Sequence, residues 1–185
     1  MAKKKHKYEY LKEFHVNDKG DYEFAGRIYV HDDTQIPLRT VMTNLFLRTG
    51  IILAGLIIAG VLPAGGLMNA FYVILPFAVS IGIGGYLTMI LLELARSRGS
   101  LRDYRYEKTV LRLEGVCKTL LITLIMSFIG EVIFLTAAKD RSRLAMDILQ
   151  TLLIGACVPV CATLPSWLKK MQWKVSENKK NIFTK

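Results

Sequence analysis

Histidine and cysteine are scarce in this chain, and each scarcity removes a class of function. The three histidines are His6, His15 and His31, all near the N-terminus and without metal-ligand spacing. The three cysteines, Cys117, Cys157 and Cys161, lie inside or at the edge of apolar runs and match neither a disulfide framework nor a zinc site. Cys157 and Cys161 are four apart and share a helix face, where they read as small packing residues. No serine sits in a nucleophile elbow and no Walker loop is present. The "GIGG" at Gly82–Gly85 lies within an apolar run with no strand before it, so it is no dinucleotide fingerprint. Neither catalysis, a metal nor a cofactor is expected. The opening "MAKKKHKYEYLKEF" lacks the apolar core of a cleavable signal, so the first spanning segment is expected to direct insertion.

What the chain has is long apolar runs. Of its 185 residues, 52% are hydrophobic, with a mean hydropathy of +0.32. A soluble domain is already about 45–50% apolar, so distribution decides more than amount. The apolar residues gather at about 41–62, 70–92, 117–138 and 144–167. Each run meets or comes close to the roughly 20 mostly apolar residues that cross about 30 Å of hydrocarbon. The expected fold class is therefore an all-α integral membrane protein, four transmembrane helices in an antiparallel bundle. A cytoplasmic region over 1–40, a loop over 93–116 and a basic tail over 168–185 complete the domain plan.

The net charge is +10, and its placement predicts orientation. Residues 1–48 carry nine Lys and Arg, 93–118 carry seven, and the tail from Lys169 carries six. The link from Pro63 to Asn69 carries none, and that around Lys139 to Arg143 carries three. Short loops rich in Lys and Arg stay cytoplasmic, so both termini and the central loop are expected inside a cell membrane. Topology accounts for the charge without a nucleic-acid partner, and no recognition motif is present.

Between the runs lie three organised pieces. Residues 8–30 place aromatic and β-branched runs on either side of "NDKG", a hairpin signal with Gly20 in the left-handed position. His31, Asp32 and Asp33 point to a turn or helix cap, since chain neighbours face opposite ways. In the central loop Gly99 ends a helix, and Ser100 with Asp103 resembles a capping box. An amphipathic helix is expected from Leu101 to about Glu114, either along the membrane or extending the third span, with Gly115 as a bend. Its apolar side would be Leu101, Tyr104 and Leu111. Arg102, Arg105 and Arg112, together with Lys169 and Lys170 after the anchor Trp167, are the candidate lipid-headgroup contacts.

Within the spans, Gly50, Ala54, Gly55 and Ala59, and then Ser80, Gly82, Gly84 and Gly85, mark faces that let helices approach closely. Those faces suit each other, a second copy or a partner subunit. Pro63 and Pro76, near the outer ends of the first two spans, and Pro159 and Pro165, in the inner half of the fourth, predict kinks. Arg48 is expected to snorkel, and Glu93 to pair with Arg96 three residues on.

Glu131 stands out. It is fifteenth in the third span counted from Cys117, about 21 Å along the helix axis and roughly 10 Å from the outer end. Intramembrane carboxylates are rare and face a cavity or a polar partner. Gln150 and Asp147 occupy comparable depth, and Lys139, Arg141 and Arg143 stand above. One expectation is a packing residue hydrogen-bonded to Gln150 or reaching those cations. The other is a proton- or cation-coupling site. Two functions follow: an accessory or scaffold subunit binding a partner protein or lipid at the cytoplasmic face, or a component of a small oligomeric transporter or channel.

Overall fold

The fold is given by a computed structural model of the chain, described over residues 14–16, 22–24, 27–34, 36–137 and 143–176. Four apolar helices are long enough to span a membrane. They are α1 (Leu38–Val61), α3 (Phe71–Arg96), α4 (Asp103–Ala137), and α5 (Leu144–Ala162) running on into the short α6 (Leu164–Leu168). A five-residue helix, α2 (Gly65–Asn69), lies in the link between the first two. The long helices form a ring in which α1 packs on α3, α3 on α4, α4 on α5, and α5 back on α1. Short links make neighbours antiparallel. The chain is thus a multi-pass membrane protein by architecture.

The helices are apolar on both their inward and outward faces. Leu45, Ile52 and Leu56 of α1 meet Leu87, Leu91 and Leu94 of α3, Leu120 and Leu124 of α4, and Ile154 of α5, all buried. Leu47, Ile57, Met89, Ile122 and Leu152 face outward and are exposed. A helix that is hydrophobic all round belongs in lipid, where the outward side chains find an apolar solvent. Pro76 and Pro159 sit inside α3 and α5, and the carbonyl of Pro76 accepts the Ser80 hydroxyl at 2.8 Å.

The polar ends depart from an all-α plan. Residues Phe14–Val16 (β1) and Tyr22–Phe24 (β2) do form an antiparallel hairpin, with Phe14 opposite Phe24; its turn at Gly20 lies outside the described residues. The second expected strand does not continue to Val30. Ile28–His31 (β3) instead enters a separate three-stranded antiparallel sheet of order β4-β3-β5, between Ser100–Arg102 (β4) and Trp173–Ser176 (β5). Three distant segments meet there. Strands this short show no alternation in sequence, and their pairing is wholly non-local. Ser100 therefore begins a strand, not a capping box; its hydroxyl reaches only the Ser97 carbonyl, at 3.4 Å.

Of the two placements expected for the amphipathic helix, the structure shows the one that extends the third span: it is the start of α4, from Asp103 and not Leu101. At 1.5 Å per residue, the 35 residues of α4 run about 52 Å, well beyond the hydrocarbon thickness, so its first turns stand clear of the apolar layer. The helix passes Gly115 unbroken. The buried side there is Thr109 and Leu113, Leu111 is 60% exposed, and Leu101 is buried in the sheet. The face is set by packing: Tyr106 stacks on Tyr29 of β3 at 4.0 Å between ring centroids and meets Trp173 of β5 edge-on at 5.9 Å. Gly99 closes the approach from α3 at φ 83°, a left-handed conformation that suits glycine.

His31, Asp32 and Asp33 form the cap and turn expected. Asp33 accepts the N–H of Leu38 at 3.0 Å in the first turn of α1, and the same oxygen lies 3.0 Å from His31 Nδ1. Asp32 bonds Thr34 and pairs with Lys174 at 2.5 Å, tying β5 to the chain entering α1. Lys174, then Thr34, holds the Asp32 carboxyl down at about 2, from an ordinary 3.8. Because the folded value is depressed, this tie is complete above about pH 4 and is lost as pH falls towards 2. Trp173 fluorescence, followed from pH 5 to 2 as roughly the full window, should show β5 loosening in the native chain. In Asp32→Asn that acid-dependent part should vanish; an unchanged profile would remove Asp32 as its cause.

Candidate functional site

Two polar constellations interrupt the apolar plan, one at each end of the bundle. Far from the sheet, Glu131 of α4 is 0% exposed, Gln150 of α5 is 0% and Asp147 is 4%. Their burial follows from the α1–α3 link. Ala64, Gly65 and Gly66 are buried, so α2 dips into the mouth of the bundle. The Gly65 N–H donates to Asp147 Oδ1 at 2.5 Å. Gly66 presses its backbone on the Glu131 carboxyl: a Cβ there would stand 2.8 Å from Glu131 Cδ. One turn of backbone thus lids both acids. Gly130 brings α4 close to α3, where an added Cβ would lie 3.2 Å from the Tyr72 carbonyl.

The expected partners of Glu131 are not in place. Among the described residues, neither Glu131 oxygen and neither end of the Gln150 amide has a hydrogen-bond partner. Ser127 Oγ, one turn back along α4, is also buried without one. The Glu131–Gln150 bond is thus not formed. Arg143 turns elsewhere, to the Pro63 carbonyl at 3.4 Å and Met68 Sδ at 3.0 Å. Lys139 and Arg141 lie outside the described residues. A carboxylate withdrawn from water calls for a counter-charge, a proton or a polar partner. Among the described residues, no group of three or more His, Cys, Asp or Glu gathers to hold a metal ion. The adjacent glycines after Pro63 were the unread signal, since two small residues in a short link allow backbone to approach a side chain closely.

At the sheet end, α3 and α4 part to form a cleft of about 580 Å³. Glu93, Arg96, Arg105 and Lys108 surround it, with Tyr86 and Met89 on its walls. The expected Glu93–Arg96 pair is not formed. Arg102 and Arg105 share a smaller neighbouring cleft of about 300 Å³ with Ser97 and Ser100. Arg112 is exposed and lines neither cleft. Lys169 is exposed at the end of α6, and Lys170 holds its Nζ 3.9 Å from the centre of the Trp167 ring. The Arg48 guanidinium carbon lies over the same ring, 5.2 Å from its centre, within cation–π range. Of the five cations expected to meet headgroups, the structure groups Arg102 with Arg105 and leaves the others apart.

Cys157 and Cys161 behave as packing residues, free and buried, with Cys157 Sγ 3.8 Å from the Ile52 carbonyl. No protein family, curated protein or solved structure matches the chain.

Proposed function

We propose that the chain is an accessory subunit of a membrane assembly, with the sheet and both termini on the cytoplasmic side of a cell membrane. The observation that carries it is the direction in which the small residues face. Gly55 and Gly84 serve the bundle itself: an added Cβ would stand 2.7 Å from Cys157 Sγ and 2.7 Å from Leu53 Cδ2. Gly50, Gly82 and Gly85 do not; among the described residues, nothing lies within 4 Å of a Cβ built on any of them. Gly50 and Ala54 open on a groove of about 750 Å³ along α1 that also includes Met42 and Phe46. Association in lipid rests on close helix packing, and outward small residues give another helix that approach. The interior, filled by large side chains from Leu45 to Ile154, favours a structural role.

One specific observation favours a second reading, in which the buried Glu131, with both oxygens unpartnered, is a proton- or cation-coupling residue of a small oligomeric transporter or channel.

Three outcomes test these readings. Co-purification in mild detergent should retain a second membrane polypeptide, either a differently tagged copy or another chain. Gly50→Leu or Gly82→Leu should reduce it at least about fivefold, as loss of roughly 1 kcal/mol of packing would. A lone monodisperse protein indifferent to both changes would remove the subunit reading. For orientation, Met68→Cys should react with an impermeant maleimide from outside, and Lys174→Cys only after permeabilisation. The reverse pattern would invert the topology. In proteoliposomes, coupling by Glu131 requires proton- or cation-driven flux that Glu131→Gln abolishes without unfolding the protein. Wild-type liposomes silent to every tested ion would sink that reading.

A further inference from the structure

The cleft between the end of α3 and the start of α4 has the composition of a site for an amphiphilic anion. Arg96 is the last residue of α3, and Arg105 and Lys108 lie in the first two turns of α4. Antiparallel packing brings these three cations from two helices to one opening. Glu93 is the only carboxylate among the lining residues, so the cleft carries a net excess of two positive charges. Among the described residues, neither Arg96 nor Arg105 is engaged in an ion pair, and Lys108 has only the Tyr104 ring, 5.5 Å from its Nζ. The guanidinium groups are therefore available to an incoming anion.

The walls say what else the anion must carry. Below the cations the cleft continues along Met89 and Tyr86, which also face outward and are 67% and 48% exposed. From Arg96 to Tyr86 is ten residues, about 15 Å of helix at 1.5 Å per residue. A free phosphate would fill only the top. A phospholipid fills both parts: its phosphate at the arginines, and the start of its acyl chains along Met89 and Tyr86. About 580 Å³ is within the usual range of roughly 300–1,000 Å³ for small-molecule sites. Basic pockets between membrane helices at the cytoplasmic side take anionic headgroups in this way.

We propose that this cleft is a specific site for one anionic phospholipid, held by Arg96, Arg105 and Lys108. It needs only that the chain spans a bilayer, so it stands or falls separately from the subunit reading. Glu93 opposes the phosphate and sets the affinity below what three cations alone would give. Arg112, on the same helix but outside the cleft, contributes nothing specific.

The test is native mass spectrometry of the full-length protein in micelles titrated with phosphatidylglycerol, phosphatidylcholine or glycerol 3-phosphate. Phosphatidylglycerol should bind as a single saturable adduct, with phosphatidylcholine and glycerol 3-phosphate far weaker. Each cation near a lipid surface is worth about 1 kcal/mol, or about fivefold in affinity. Arg105→Gln should thus weaken the adduct about fivefold, and Arg105→Gln with Lys108→Gln about twenty-five-fold. Glu93→Gln should tighten it, while Arg112→Gln should leave it unchanged. Equal binding of phosphatidylcholine would overturn the proposal, as would equal binding of glycerol 3-phosphate, which would indicate a site for free phosphate. An Arg112→Gln loss as large as that of Arg105→Gln would reduce the effect to diffuse surface charge.

Discussion

The structure depends on one constraint: inside hydrocarbon no water is present to satisfy a polar group. Each backbone N–H and C=O at that depth must find its partner within the protein, which leaves helices as the building unit of this chain. The same constraint governs its side chains. Ser80 and Thr88 return their hydroxyls to carbonyls four residues back, at 2.8 and 3.0 Å. Arg48 lays its charge over Trp167 at the end of the bundle. Against this background, the buried Glu131, Gln150 and Ser127 stand unpartnered among the described residues in the half of the bundle away from the sheet, and in α1 Thr49 Oγ1 and Arg48 Nε are likewise buried without a partner.

The two ends solve the problem of ending a membrane helix differently. At one end, the link between α1 and α3 folds inward, and Gly65 and Gly66 put main chain where side chains would otherwise meet. At the other, α4 outruns the apolar layer and becomes the platform on which β3, β4 and β5 assemble through Tyr29, Tyr106 and Trp173. The first arrangement buries two acidic side chains, and the second gathers basic ones beside the sheet.

How much of this was legible depended on the length scale of each signal. The spans could be read because a run of roughly 20 apolar residues suits a bilayer crossing and little else. The limits of the first two moved by only a few residues, from 41 to Leu38 and from 92 to Arg96, whereas the third helix begins well before the expected 117, at Asp103. Glu131 could be placed in depth because helical rise is constant. Its surroundings could not, since the lidding turn at Gly65 and Gly66 comes from a distant part of the chain. The three-stranded sheet was hidden for the same reason. "IYVH", "SLR" and "WKVS" are each too short to carry a period, and they pair across most of the chain. Leu111 faces outward, against expectation, because the surface on which the start of α4 packs includes the Tyr29 ring, contributed by that sheet.

The central position of β3 also sets an order of events. Its two partners are made later: β4 after two spans, and β5 only after all four. Until those segments are made, the hydrogen-bonding groups of Ile28–His31 lack the partners they have in the folded chain. The sheet can therefore be completed only on a chain whose four crossings have all been laid down. It links a segment made before the first crossing to one made after the fourth, and a chain cut short before Trp173 would be left with one edge of β3 exposed.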